Sequence, residues 1–198
     1  MRVPCTACGA EILSETSART GGLCMPCKQG TRESIEKAKV RNRKDREYDP
    51  WRALWTSLVN RVYHTDASFG GLTSDEQIYY TLRVLEGEVY NGGICQFFDN
   101  SSGAHYKAVV ENLKLLQAPV TLSLLLQTKT LLFGTAEPPQ DRQERYSLMR
   151  KGEEVDVALE ALSEAYWKDP DKLGEKLDDF AVKAGLVDPF LVPKDSSQ

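Results

Sequence analysis

The chain has 198 residues, of which 41% are apolar and 27% charged, a composition that gives room for one ordinary globular domain and a small appendage. No apolar stretch reaches the length of a membrane span, since the longest candidate, 122–132, is broken by Gln127, Thr128 and Lys129; a membrane partner is therefore not expected. The net charge of −4 is unevenly placed: residues 1–50 sum to +3 and residues 51–198 to −7, with −6 of that in 151–198.

The chain opens with two Cys-x-x-Cys pairs, Cys5 with Cys8 and Cys24 with Cys27. Two intervening residues let both sulfurs of a pair turn toward one point, and two such knuckles supply the four thiolates of a tetrahedral zinc site. Gly9 follows the first knuckle, where positive φ is wanted. Gly21 and Gly22 lead into the second, and Pro26 presets φ within it. The rival readings are a disulfide pair, a redox Cys-x-x-Cys and free thiols. Met1-Arg2-Val3-Pro4 is too short for a signal peptide, so a reducing cytoplasm is the expected address, and it disfavours disulfides. Residues 1–30 are thus expected to form a zinc ribbon holding one structural Zn2+, with no open position for a substrate.

Residues 31–49 are polar and charged and read as a helical connector. Its basic cluster, Lys37, Lys39, Arg41, Arg43, Lys44 and Arg46, could touch nucleic acid, yet it lacks aromatic residues to stack bases and suits a solvated helix. Asp49-Pro50 then starts a helix on which Trp51, Leu54, Trp55, Leu58, Val59 and Val62 repeat at helical spacing. A Gly70-Gly71 loop leads to Thr73-Ser74-Asp75-Glu76, a capping box for a helix carrying Ile78, Leu82, Leu85 and Val89. That helix ends at Asn91-Gly92-Gly93, residues that accept left-handed geometry. Further helices are expected over 104–116, stopped near Pro119, over 121–133, ended by Gly134, and near 141–149, 153–167 and 171–183, the last followed by Gly185. Strand signals are scarce. The expected body, 50–190, is all-α, a multi-helix domain packed in two layers.

The stretch from Leu85 to Gly103 contains Asn91-Gly92-Gly93, then Gln96-Phe97-Phe98, Asn100 and Gly103. It resembles the central motif of a bacterial all-α domain family best known for a DNA-mimic protein, over about residues 50–183. The Cys-x-x-Cys-Gly to Cys-Met-Pro-Cys-Lys string resembles a small ribbon found at the front of various bacterial proteins. Membership would imply a surface on which carboxylates stand where phosphates would, bound by a basic DNA-binding protein in place of its operator. Basic DNA-binding faces are drawn to such a charge layout. The candidate face here is Glu153, Asp156, Glu160 and Glu164, which recur every three or four residues, with Asp178 and Asp179 as neighbours.

A catalytic reading finds little support. Glu86 and Glu88 are two apart on a helix and face different ways. His64 and His105 are the two histidines, each suited to a surface or capping role. Asn91, Gln96 and Asn100 are expected to satisfy backbone groups freed where the helix breaks, and Cys95 to be a core thiol. The function expected is therefore a non-enzymatic module that binds or inhibits another protein, such as a DNA-binding regulator. The alternatives are a nucleic-acid binder using ribbon and connector, and an immunity-type protein that neutralises a toxin.

Overall fold

The computed structural model describes residues 1–44 and 48–188, without the side chains of 40–44. The chain divides into two compact units, Met1–Asp49 and Pro50–Gln198.

In the first unit, strands β1 (Arg2–Pro4) and β2 (Glu11–Leu13) pair antiparallel, with Val3 opposite Ile12. Helix α1 (Ser14–Thr20) follows. It is closed by Gly21 in left-handed geometry, φ 68°, whose amide returns to the Ser17 carbonyl. Helix α2 (Met25–Lys28) takes Pro26 in its first turn, where the missing N–H costs nothing. Helix α3 (Arg32–Lys44) belongs to this same unit, as do the four cysteines.

The second unit is helical throughout its regular structure among the described residues. It contains α4 (Pro50–His64), α5 (Ser74–Gly92), α6 (Gln96–Asp99), α7 (Tyr106–Leu115), α8 (Pro119–Phe133), α9 (Arg142–Leu148), α10 (Glu153–Trp167) and α11 (Leu173–Lys183), with 3-10 turns at Ser68–Gly71 and Ser101–His105. The long helix α5 is the hub, packed by α4, α6, α7, α10 and α11. Leu82, Leu85 and Val89 on it are fully buried, and Leu58, Ile94, Phe97, Phe98, Leu113, Leu125 and Leu177 close around them.

Local chemistry sets the ends of the hub helix. Thr73 accepts from the Glu76 amide at 3.3 Å and Glu76 returns a carboxylate oxygen to the Thr73 amide at 2.8 Å, completing the capping box. Arg61 of α4 then grips Glu76 and the Gly71 carbonyl, so one carboxylate both caps α5 and ties α4 to it. Trp55 stacks on Tyr80 at 5.6 Å to complete that junction. At the other end Gly93 adopts φ 82° and stops the helix.

Two boundaries differ from the sequence reading. Residues 101–105 wind as a 3-10 turn before α7, and Pro119 starts α8 rather than merely ending α7. Ala118 offers α8 no capping side chain, and Asp171, from the turn before α11, takes the Thr121 amide at 2.6 Å instead. No described helix is long and apolar enough to cross a membrane.

Candidate functional site

The four cysteines are brought together by the β1–β2 turn and the start of α2. Cys5 leaves β1, its amide donating to the Ala10 carbonyl, and Gly9 at φ 72° closes the knuckle by donating to the Cys5 carbonyl at 2.9 Å. Cys24 stands at the N-terminus of α2, with Cys27 one turn on. The knuckles are stitched by the Thr6 amide on the Gly22 carbonyl, 3.0 Å, and the Cys24 amide on Cys5 Sγ, 3.2 Å. All four sulfurs lie within 4.8 Å of one another, so the cluster can hold a metal ion.

The cluster fits zinc. Zn–S bonds of about 2.3 Å in a tetrahedron put sulfurs roughly 3.8 Å apart, and Cys8 Sγ and Cys24 Sγ are separated by 3.7 Å. No disulfide joins any of the cysteines. Cys5 and Cys24 are buried, while Cys8 faces solvent. The amide of Cys24 lowers the Cys5 thiol to about 6, whereas hydrogen bonding to Cys24 pushes Cys27 up to about 12. Four sulfurs at this distance cannot all ionise without a cation among them. Arg32, at the start of α3, adds an N–H from Nη2 to Cys24 Sγ at 3.1 Å and a positive charge beside the thiolates. Spacing alone could not find this residue.

On the basic helix α3, Lys37 pairs with Glu33 at 2.7 Å and Lys39 with Glu36 at 3.0 Å. Arg41, Arg43, Lys44 and Arg46, the remainder of the expected nucleic-acid patch, lie outside the described side chains.

In the second unit the 91–103 motif forms a polar lock centred on Glu88. Its carboxylate accepts from Gln96 Nε2 at 2.7 Å, Asn100 Nδ2 at 2.8 Å and Ser102 Oγ at 3.1 Å. The expectation that Gln96 and Asn100 satisfy backbone groups is thus corrected: they converge on one carboxylate a turn before the break, because the charged acceptor makes the stronger bonds. Asn91 is exposed and takes no part. Gly92 is helical; its role is space, since a Cβ there would lie 2.7 Å from Gln96 Cδ. Gly93 passes Ser163, whose Oγ accepts from the Ile94 amide at 3.0 Å. Gly103 makes room for Arg145. That guanidinium, fully buried, donates to the carbonyls of Phe98, Asn100, Pro139 and Gln140. Four neutral acceptors in place of a carboxylate make Arg145 a clamp on the loop, and nothing in its local sequence announces it.

The remaining candidates divide. Cys95 is half-buried, its thiol pushed up to about 12 by burial, with Asp99 3.8 Å away. His105 stands at the N-cap position of α7 but makes no side-chain capping bond, and its ring is half-buried. It lies 4.3 Å from the Phe69 ring and edge-on to Tyr80, and burial lowers its pKa. Glu86 is buried against Arg83 at 2.9 Å, and desolvation raises its pKa. Asp178 also pairs with Arg83, which removes it from the acidic face. Asp179 is exposed on α11.

Glu153, Asp156, Glu160 and Glu164 all project from the exposed side of α10, and none of them forms an ion pair with a described residue. Glu153 and Asp156 sit in the first turn, where the helix N-terminus favours negative charge. Glu160 and Glu164 have no such local reason to be acidic.

A family model described as DMP19-like protein matches residues 70–184, more than half of the chain, leaving the cysteine cluster and α4 outside the match. No curated protein matches the chain, and no solved structure does.

Proposed function

From the chain's membership in the DMP19-like protein family, we propose that it is a non-enzymatic protein-interaction module, whose body engages a basic, DNA-binding protein through the acidic face of α10 while its first unit carries a structural zinc ion. The observation that carries this reading is the row Glu153, Asp156, Glu160 and Glu164, exposed and without cationic partners in the described chain. Steps of three and four residues at about 1.5 Å per residue put a carboxylate about every 4.5–6 Å along the axis. A DNA strand carries a phosphate about every 3.4 Å of axis. The row therefore has somewhat more than half the charge density of one strand, enough to draw a face evolved for DNA.

Two further observations favour this reading. The polar residues of the motif that could suggest catalysis are spent on Glu88, which leaves Gln96, Asn100 and Ser102 a positional role. In α3, two of the lysines that a nucleic-acid reading would use are already paired with glutamates. A partner that is a toxin, neutralised by occlusion, would use the same acidic face. In all versions the protein works in the cytoplasm.

The test is competition. A basic regulator captured by the protein should be released from its operator DNA as this chain is added, with an effect that weakens from 50 to 300 mM salt. Formation of a ternary complex on DNA, with the regulator still bound to its operator, would overturn the mimic reading.

A further inference from the structure

We infer that the groove between α8 and α10 is a docking site for an amphipathic, lysine- or arginine-rich helix of a partner protein. This inference rests on the interaction reading above and adds where and by what chemistry the partner is held. The groove has a volume of about 560 Å³ and is lined by Leu126, Leu131, Ala158, Ala161 and Leu162, with Gln127 at its rim. Leu126 keeps 41% of its surface exposed and Val157, on the neighbouring ridge of α10, 63%. Apolar side chains left open along two adjacent helices form a continuous seat of the kind into which a third helix lays anchors at i, i+3 or i+4, and i+7.

The charges on the two walls choose the occupant. Helix α8 has a single ionisable residue, Lys129, which turns back to the Gly134 carbonyl at 3.3 Å. Its exposed side, with Ser123, Leu126, Gln127 and Thr130, is therefore uncharged. The other wall is α10, whose outer ridge holds Glu153, Asp156, Glu160 and Glu164 and offers no cation before Lys168. An apolar floor with a neutral wall and an anionic wall complements a helix that is apolar on one side and basic on the next. An acidic helix would be repelled along the α10 ridge, and a fully apolar one would leave the carboxylates without compensation. DNA-like charge alone would need no groove, so the apolar seat separates this mode of binding from attraction to carboxylates in general.

The probe is a 16-residue synthetic helix with leucines at i, i+3, i+4 and i+7 spacing and lysines elsewhere. It is compared with the same helix carrying glutamate for lysine and with oligolysine of equal length, binding being read by fluorescence anisotropy at 50 and 300 mM salt. The lysine–leucine helix should bind the full chain at least 10-fold more tightly than either control. Ala161→Trp, which fills the groove, and Leu126→Gln, which makes it polar, should each weaken that binding by 5-fold or more with the circular-dichroism melt unchanged. Glu160→Lys with Glu164→Lys should weaken it and flatten its salt dependence. Equal binding of oligolysine, unaffected by Ala161→Trp, would overturn the groove while leaving the acidic face in place. Binding indifferent to the charge reversal would overturn the acidic-face reading itself. No binding of the lysine–leucine helix, or concentration-dependent dimerisation that Ala161→Trp abolishes, would overturn the proposed occupant.

Discussion

Gly92 and Gln96 give a prediction in which two effects of known size oppose each other. In Gly92→Ala the new Cβ would stand 2.7 Å from Gln96 Cδ, so the carboxamide must swing away. That breaks the 2.7 Å bond to Glu88, a hydrogen bond to a charged group worth about 1.5–3 kcal/mol. Against this, replacing glycine by alanine in a helix gains up to about 1 kcal/mol, less at the last residue of α5. The single change should therefore destabilise the body by about 1–2 kcal/mol. In a Gln96→Ala background the obstacle is gone, and the same change should be neutral or stabilising by up to about 1 kcal/mol. The two substitutions are thus strongly non-additive, with a coupling of about 1.5–3 kcal/mol. Urea denaturation followed by tryptophan fluorescence measures this cleanly, because Trp51, Trp55 and Trp167 all lie in the second unit. An equal cost of Gly92→Ala in both backgrounds would refute the steric account of the motif.

Metal analysis should find one zinc per chain, lost in Cys24→Ser, and deletion of residues 1–49 should leave a body that still melts cooperatively. Arg32→Gln removes the N–H on Cys24 Sγ and the adjacent charge, and should speed zinc transfer to a colorimetric chelator by about 10-fold, at the low end of outer-shell effects. Burial among Phe69 and Tyr80 lowers the His105 pKa. The unfolded state therefore takes up that proton first, and the contribution of His105 to stability, full above about pH 6.5, declines as pH falls through the lowered folded value. A urea-midpoint series from pH 8 to 5 should show this decline in the native chain and less of it in His105→Phe.

What the sequence disclosed was local in origin. The Thr73 capping box, the Asp49-Pro50 start and the helix end at Gly93 each depend on residues a few positions apart, and each is present. The sulfur cluster was legible because four ligands of one type at knuckle spacing leave few alternatives. Contacts between distant segments were not. Arg145 reads as an ordinary surface residue of a polar helix, and only the fold places it under the carbonyls of a loop more than 40 positions earlier. Asp171 looked like an acid of the charged C-terminal region and caps α8 instead, and Asp178 is drawn inward by Arg83. The spacing of Glu86 and Glu88 shows that they face different ways but not what each meets: the chain folds three donors onto Glu88 and an arginine onto Glu86. Pro119 served as a stop signal in the sequence, although proline fits the first turn of the following helix equally well.

The central claim is that the exposed carboxylates of α10 select a protein partner. Its most direct test is affinity capture from native lysate with the full chain and its Glu160→Lys, Glu164→Lys variant side by side, proteins identified by mass spectrometry and eluted by a salt gradient. The account predicts a basic DNA-binding protein retained by the native chain, released as salt screens charges beyond about 8 Å, and absent from the variant. Recovery of the same proteins on both, at the same salt, would contradict it.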